Sequence, residues 1–236
     1  MKPFIYVLVL LAVVLLTGCG TNITKEEFAP KIYTERPTSI LVLPPINKTT
    51  AADAKEYYST TVTEPLANDG YYVFPMEIVN DVLQQEGLYD TETMLNVQPQ
   101  KFKEYFGADA VLYVTIEKWN TSYLITAGSV TVKAACELRS TLTGEVIWFY
   151  DDEVTINTSG DSGGQGGLLG FIVSAVSTAI KTATQSYVPL AMQANEAIFK
   201  ALPYGKYHKE FNQDHKMKIK KKDKKVEKTT DESKKE

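Results

Sequence analysis

Four residues constrain what the rest of the chain must build. Ile40-Leu-Val-Leu43 follows Ser39, is apolar without a break, and ends at Pro44-Pro45. Side chains alternate between faces along a strand, so a run like this is apolar on both faces and must be covered on both. It predicts a central strand of a layered α/β domain, with helices on each side.

The next segments supply that cover. Asp53 to Asn68 predicts a helix with Tyr57, Tyr58, Thr61, Val62 and Leu66 on one broad face, kinked or interrupted at Pro65. Asp69-Gly70 stops it, and Tyr71-Tyr-Val-Phe74 is a second short strand. Strand, helix and strand make a β-α-β unit, so the two strands should be parallel with a right-handed crossover. Met76, Val79, Val82 and Leu83 have helical spacing, ended by Gly87. Pro99 opens another helix whose face is Phe102, Tyr105 and Phe106, capped by Gly107.

Ala110 to Trp119 predicts a third strand, apolar on both faces in its first half, less regular and more exposed in its second. From Val130 the alternation is clean: Val132, Ala134, Cys136 and Leu138 share its face, while Thr131, Lys133, Glu137 and Arg139 take the other. Leu142-Thr-Gly-Glu145 is a hairpin turn, and Val146-Ile-Trp-Phe-Tyr150 is a fifth strand. Asp152 to Gly167 reads as a loop. Pro189 starts a helix through Ala201 with Leu190, Ala194, Ala197, Ile198 and Ala201 inward, stopped by Pro203-Tyr-Gly205. The expected fold class is α/β, a three-layer-like domain with flanking helices. Its mixed five-stranded sheet has a parallel β-α-β start and an antiparallel meander end.

The ends of the chain have a different character. Phe4 to Leu16 is almost wholly apolar but shorter than the ~20 residues of a spanning helix. It closes on Leu16-Thr-Gly-Cys19, which matches the bacterial lipobox, where the cysteine is acylated and the chain is cut before it. Gly18 is then the signal-cleavage residue and Cys19 the lipidation residue. Resemblance to bacterial lipoproteins implies that Gly20, in place of Asp, directs the protein to the outer membrane, facing the periplasm. The resulting division is residues 1–18 signal peptide, 19–36 lipidated tether, 37–205 α/β domain, and 206–236 a disordered Lys-rich tail.

Charge follows the same division. Residues 206–236 carry 12 Lys and 7 acidic residues within a chain of net charge −4, so the body is acidic. That balance argues against a nucleic-acid partner. The mixed charge of the tail is as consistent with simple solvation as with contact to anionic lipids or wall polymers.

Few residues have the makings of a site. With Cys19 acylated, Cys136 has no disulfide partner, and its apolar face makes it a buried, inert thiol. Both histidines, His208 and His215, fall in the tail, which argues against a Ser-His-Asp triad, a Cys-His dyad or a His-rich zinc centre. The Gly160 to Gly167 run lacks phosphate-loop spacing and reads as a connector. Asp151-Asp-Glu153 lacks calcium-loop spacing and reads as a solvated strand end. Leu168 to Ile180 is apolar and rich in small residues, as in a helix packed on the sheet or at an oligomer or membrane contact. The expectation is a non-enzyme without cofactor or metal.

Several segments together resemble a family of bacterial lipoproteins of unknown function. They are the buried strand into Pro44-Pro45, Gly70-Tyr-Tyr-Val-Phe-Pro75, Gly107-Ala-Asp-Ala-Val-Leu-Tyr113, and the hairpin from Leu138 to Trp148. More remotely, residues 37 to 202 are similar to the periplasmic domain of the curli secretion channel CsgG, the TolB N-terminal domain and LpoB, an activator of penicillin-binding proteins. The resemblance implies a membrane-anchored accessory subunit of a CsgG-like export assembly, possible self-association, or an LpoB-like regulator of a cell-wall enzyme. CsgG-like channels insert long amphipathic hairpins. The sequence shows no pair of long alternating strands, so the chain is not expected to be the pore.

Overall fold

The computed structural model describes residues 22–123, 128–157 and 188–220. The chain enters through β1 (Asn22–Thr24), α1 (Lys25–Phe28) and α2 (Pro30–Glu35). β2 (Ser39–Val42) and β3 (Ile46–Asn47) precede α3 (Ala54–Thr61), α4 (Thr63–Asn68) and β4 (Tyr72–Val73). α5 (Met76–Gln85), α6 (Thr91–Met94) and α7 (Pro99–Phe106) lead into the meander β5 (Ala110–Tyr123), β6 (Gly128–Ser140) and β7 (Val146–Asn157). α8 (Val188–Phe199) and β8 (Lys218–Lys220) follow.

The main sheet runs β4-β2-β5-β6-β7. β2 pairs in parallel with β4 on one side and β5 on the other, as a β-α-β unit requires. β6 and β7 are antiparallel. The run Ile40 to Leu43 divides as its pattern demands, with all four side chains at most 1% exposed. Ile40 and Val42 join Leu112, Cys136 and Leu138 beneath Tyr58, Val62, Leu66 and Ile198. Leu41 and Leu43 join Val111 beneath Val79, Leu83, Met94 and Phe102. Burial of each such side chain stabilises the fold by ~1.5–3 kcal/mol, before the opposing chain entropy.

Proline and bulges explain the departures from the expected pattern. The sheet has six strands rather than five. Pro44-Pro45 cannot donate to the ladder, so β2 stops there and the chain rejoins β5 as β3, Ile46 opposite Thr115. The helix over 53–68 is interrupted as expected and runs as two helices, because Pro65 has no amide to offer the carbonyl of residue 61. In β5 the register slips between Ile116 and Lys118. That bulge puts one extra residue into the strand and turns Trp119 inward, within a second half that is otherwise more exposed than the first, as expected.

The meander is longer than expected. β7 continues through Asn157, so residues 152–157 are strand and not loop. Asp151 pairs with Lys133 of β6 and Glu153 with Lys118 of β5, so ion pairs replace apolar contacts on that face. β5 and β6 pair from Ala110↔Ser140 to Tyr123↔Gly128. The expectation that no pair of long strands exists is therefore corrected. The alternation of β5 was hidden by its bulge.

Both expected flexible ends are also corrected, as far as they are described. Residues 22–35 form a strand and two helices, with Lys25, Ala29 and Ile32 buried. Residues 206–220 pack on the body, and β8 pairs with β1. Each segment is too polar to fold alone. Together they close a second, two-stranded sheet.

Candidate functional site

The contact between the two ends is built residue by residue. Thr24 caps α1, accepting from the Glu27 amide at 3.2 Å while the Glu27 carboxylate accepts from the Thr24 amide at 2.8 Å. The cap starts the helix at Lys25 and sends that side chain inward. Lys25 Nζ donates to the Leu202 carbonyl at 2.8 Å and to Asp214 Oδ2 at 3.1 Å, and lies 4.1 Å from the centre of the Tyr204 ring. Asp214 also accepts from the Tyr33 hydroxyl at 3.1 Å and the Tyr204 amide at 2.9 Å. The Lys25 and Asp214 side chains are 3% and 0% exposed. A buried pair of this kind holds its place only while both partners remain.

Neighbouring groups respond to this charge. Burial, then Asp214, pushes the Tyr33 hydroxyl far above its usual range, so it stays a donor. Burial raises the Asp69 carboxyl to about 7; Lys25 opposes the rise, and Asp214 and Glu196 add to it. His215 stacks on Tyr33 at 4.0 Å and places Nδ1 3.1 Å from Glu26. His208 stacks on Tyr204 at 3.7 Å. Both histidines thus belong to the folded body.

Two glycines permit the approach. Gly70 has φ +88°, and a Cβ there would meet the His208 backbone nitrogen at 2.2 Å. At Gly205 a Cβ would meet the Gly70 carbonyl at 2.5 Å. Between them, Gly205 donates to Asp69 and Tyr207 to Gly70, while the Tyr71 hydroxyl donates to Pro203. α8 stops at Phe199, two residues short of the expected Ala201, and Pro203-Tyr-Gly205 beyond it docks the C-terminal segment. The cleft beside it, among Ile32, Tyr33, Arg36, Tyr71 and Phe211, encloses about 10 Å³, enough for about one water.

The residues singled out from the sequence fall in several places. Gly18, Cys19, the run from Gly160 to Gly167 and the stretch from Leu168 to Ile180 lie outside the described residues. Cys136 sits in the core, 3.5 Å from the Tyr58 hydroxyl, and burial pushes its thiol up to about 12. A thiol held protonated is a poor nucleophile. Asp109 of the Gly107-Ala-Asp segment has a structural role. It accepts from the Thr38 and Ser39 amides and from Lys103 Nζ, tying the start of β5 to β2. Burial works against its ionised form but is outweighed by Lys103 and those amides, so its pKa is lowered.

Asp151 and Glu153 belong to an open, polar face of the meander. There Lys133 pairs with Glu117 and Asp151, Lys118 with Glu153, and Arg139 with Glu137. Thr131 and Thr155 meet at 3.1 Å on the same face. Its charges largely satisfy one another. Among the described residues, no group of three or more His, Cys, Asp or Glu is placed to hold a metal, and no helix is long and apolar enough to cross a membrane.

Residues 30–206 match the family described as "Putative lipoprotein GNA1162-like". The chain belongs to this family. A relative described as "Putative lipoprotein NMB1124/NMB1162", from Neisseria meningitidis serogroup B, is 34% identical over 176 residues, 75% of this chain and 80% of that protein. The crystal structure of lipoprotein GNA1162 from N. meningitidis covers 51% of this chain and 84% of its own at 33% identity, with a TM-score of 0.46. The LpoB C-terminal domain from Escherichia coli covers 54% of this chain and 94% of its own at 20% identity, with a TM-score of 0.33. Lys25 and Asp214 both lie outside the residues that match the GNA1162-like family.

Sequence reasoning missed the Lys25–Asp214 clasp because its halves are 189 residues apart. One signal was present. Lys216-Met-Lys-Ile-Lys220 alternates with the period of a strand.

Proposed function

We propose that this member of the GNA1162-like family is cut after Gly18 and acylated at Cys19, and sits on the outer membrane facing the periplasm. It works by binding other envelope proteins, without catalysis, as an accessory subunit of a curli-type export assembly. The observation that carries this reading is the clasp. It fastens the segment beginning three residues after Cys19 onto the α/β body, so whatever holds Cys19 also holds the body. The chemically capable groups nearby support a binding role. The Cys136 thiol is protonated inside the core, and Lys25, Tyr33 and Asp214 are spent on one another. The export setting draws on the likeness of the Gly107-Ala-Asp and Thr143-Gly-Glu segments to CsgG-like domains.

Crosslinking the full-length chain in its own cells, followed by mass spectrometry of the captured partners, tests the role. A CsgG-like channel is the expected partner. A penicillin-binding protein would replace the export reading with cell-wall regulation, and capture of neither would reject both. The anchor is tested separately by the mass of the mature N-terminal peptide. It should carry acyl chains on Cys19, and acylation that persists in Cys19→Ala would overturn the assignment.

A further inference from the structure

The helical layer that covers Leu41 and Leu43 has an outer side as well as an inner one. Val79, Leu88 and Met94, from α5, α6 and the turn between them, are buried against those strand residues. Ile78, Tyr89 and Leu95 are each the immediate neighbour of one of these anchors, and each is turned out to solvent. Ile78 is 54% exposed, Tyr89 76% and Leu95 47%. Ile78 also lies one turn from Val82, which is only partly covered. The fold does not need apolar residues there. Val79 and Leu83, both fully buried, anchor α5, and the Asp90 carboxylate caps α6, accepting from the Thr93 amide at 2.7 Å. Single exposed apolar residues are ordinary on a protein surface, but three on the outer side of one layer call for a reason.

The charge around them has one sign. Between Lys55 and Lys101 the chain has eight carboxylates and no Lys, Arg or His. Five of the eight, Glu77, Asp81, Glu86, Asp90 and Glu92, fall on α5, α6 or the turn between, and all five are exposed. None of the five takes part in an ion pair among the described residues. The next lysines along the chain are engaged elsewhere, Lys101 with Glu104 and Lys103 with Asp109. On the open face of the meander, by contrast, carboxylates and cations stand side by side and pair. A second copy of the chain meeting this surface about a two-fold axis would set like charges against each other, and an anionic bilayer would be repelled.

We infer that the outer side of α5 and α6 is a docking surface for a basic, amphipathic segment of another protein, one that sets apolar side chains between lysines or arginines. Apolar contact with Ile78, Tyr89 and Leu95 holds the segment, and the surrounding carboxylates steer and orient it. The inference rests on the binding role proposed above, but not on export or on the acylation of Cys19.

The test uses the full-length chain in its own cells, with photoreactive benzoylphenylalanine in place of Ile78. After irradiation the cross-linked product is digested, and the peptide joined to position 78 is identified by mass spectrometry. The expected peptide comes from a second protein and combines apolar residues with a net positive charge. Asp81→Lys with Glu86→Lys should cut the yield of that product about tenfold. The thermal midpoint should not fall, because both positions are exposed and lysine suits the middle and the end of a helix. Moving the probe to Leu142, exposed between β6 and β7, should lose the product. A peptide from this chain itself, from its Lys-rich tail or from a second copy, would overturn the inference. So would an acidic or uncharged peptide, no product at all, an undiminished yield in the charge-reversed variant, or the same product from Leu142. The identity of the captured protein judges the export reading and the composition of the contacted peptide judges this surface, so either can fail alone.

Discussion

The central sheet and the terminal clasp are stabilised by opposite means. In the sheet, β2 and β5 lie between two apolar layers, and contacts such as Leu112 with Leu138 come from neighbouring strands. In the clasp, a buried ammonium, a carboxylate, a phenol, one backbone carbonyl and one backbone amide hold segments from the two ends of the chain. Apolar packing tolerates small errors, since a neighbouring side chain can shift to fill space. A buried ion pair does not, because removing one member strands the other in a medium that cannot solvate it. The sheet should therefore degrade gradually under substitution and the clasp abruptly.

Breaking the clasp from one side gives the largest expected effect. Asp214→Ala should cost about 3–5 kcal/mol, measured by denaturant unfolding. The paired change Lys25→Met with Asp214→Leu should cost clearly less, since no charge is left unpaired. If the single and double variants are equally unstable, the clasp is held by shape and not by charge. Leu138→Ala, in the sheet, should cost about 2–5 kcal/mol. Its effect should lower hydrogen-exchange protection throughout β5 and β6, whereas the clasp variants should first lower protection in residues 22–36 and 204–220.

A pH series sharpens the same contrast. Asp69 titrates at about 7 in the folded chain against 3.8 as an ordinary carboxyl. Between those values the folded state binds more protons than the unfolded one, so this contribution is full below pH ~4 and is lost as pH rises through ~7. Thermal midpoints should fall from pH 5 to pH 8, and Asp69→Asn should flatten that fall. The smallest effect belongs to the open face of the meander. Lys118→Met removes a half-exposed ion pair with Glu153 and should change stability by no more than about 1 kcal/mol, less in high salt.

The same contrast decides what the sequence could reveal. The doubly apolar run Ile40 to Leu43, the stop at Pro44-Pro45, the single face shared by Val132, Ala134, Cys136 and Leu138, and the left-handed caps at Gly87 and Gly107 are all local patterns. Each restricts a few adjacent residues, so the α/β layering followed from them. The parts that were misread depend on distant partners. Asp151-Asp-Glu153 resembled a solvated end until lysines on β5 and β6 were placed beside it. The bulge before Lys118 broke the alternation of β5. Lys25 looked like any lysine in a polar spacer, since no feature of residues 22–36 announces Asp214. The proposed acylation rests on a local motif too, Leu16-Thr-Gly-Cys19. The two-stranded sheet of β1 and β8 emerged only from strand register.

That two-stranded sheet also determines how the molecule would bear a load. Tension applied through Cys19 reaches β1 first, a strand of three residues, and then the Lys25–Asp214 pair behind it. Should both let go, the fifteen or so residues up to Pro37 would pay out ~50 Å of slack before the force reached β2. The segment would then be the extended spacer that its composition suggests. The clasp acts as a latch on hidden length, and its strength decides whether the body rides on the membrane or reaches away from it.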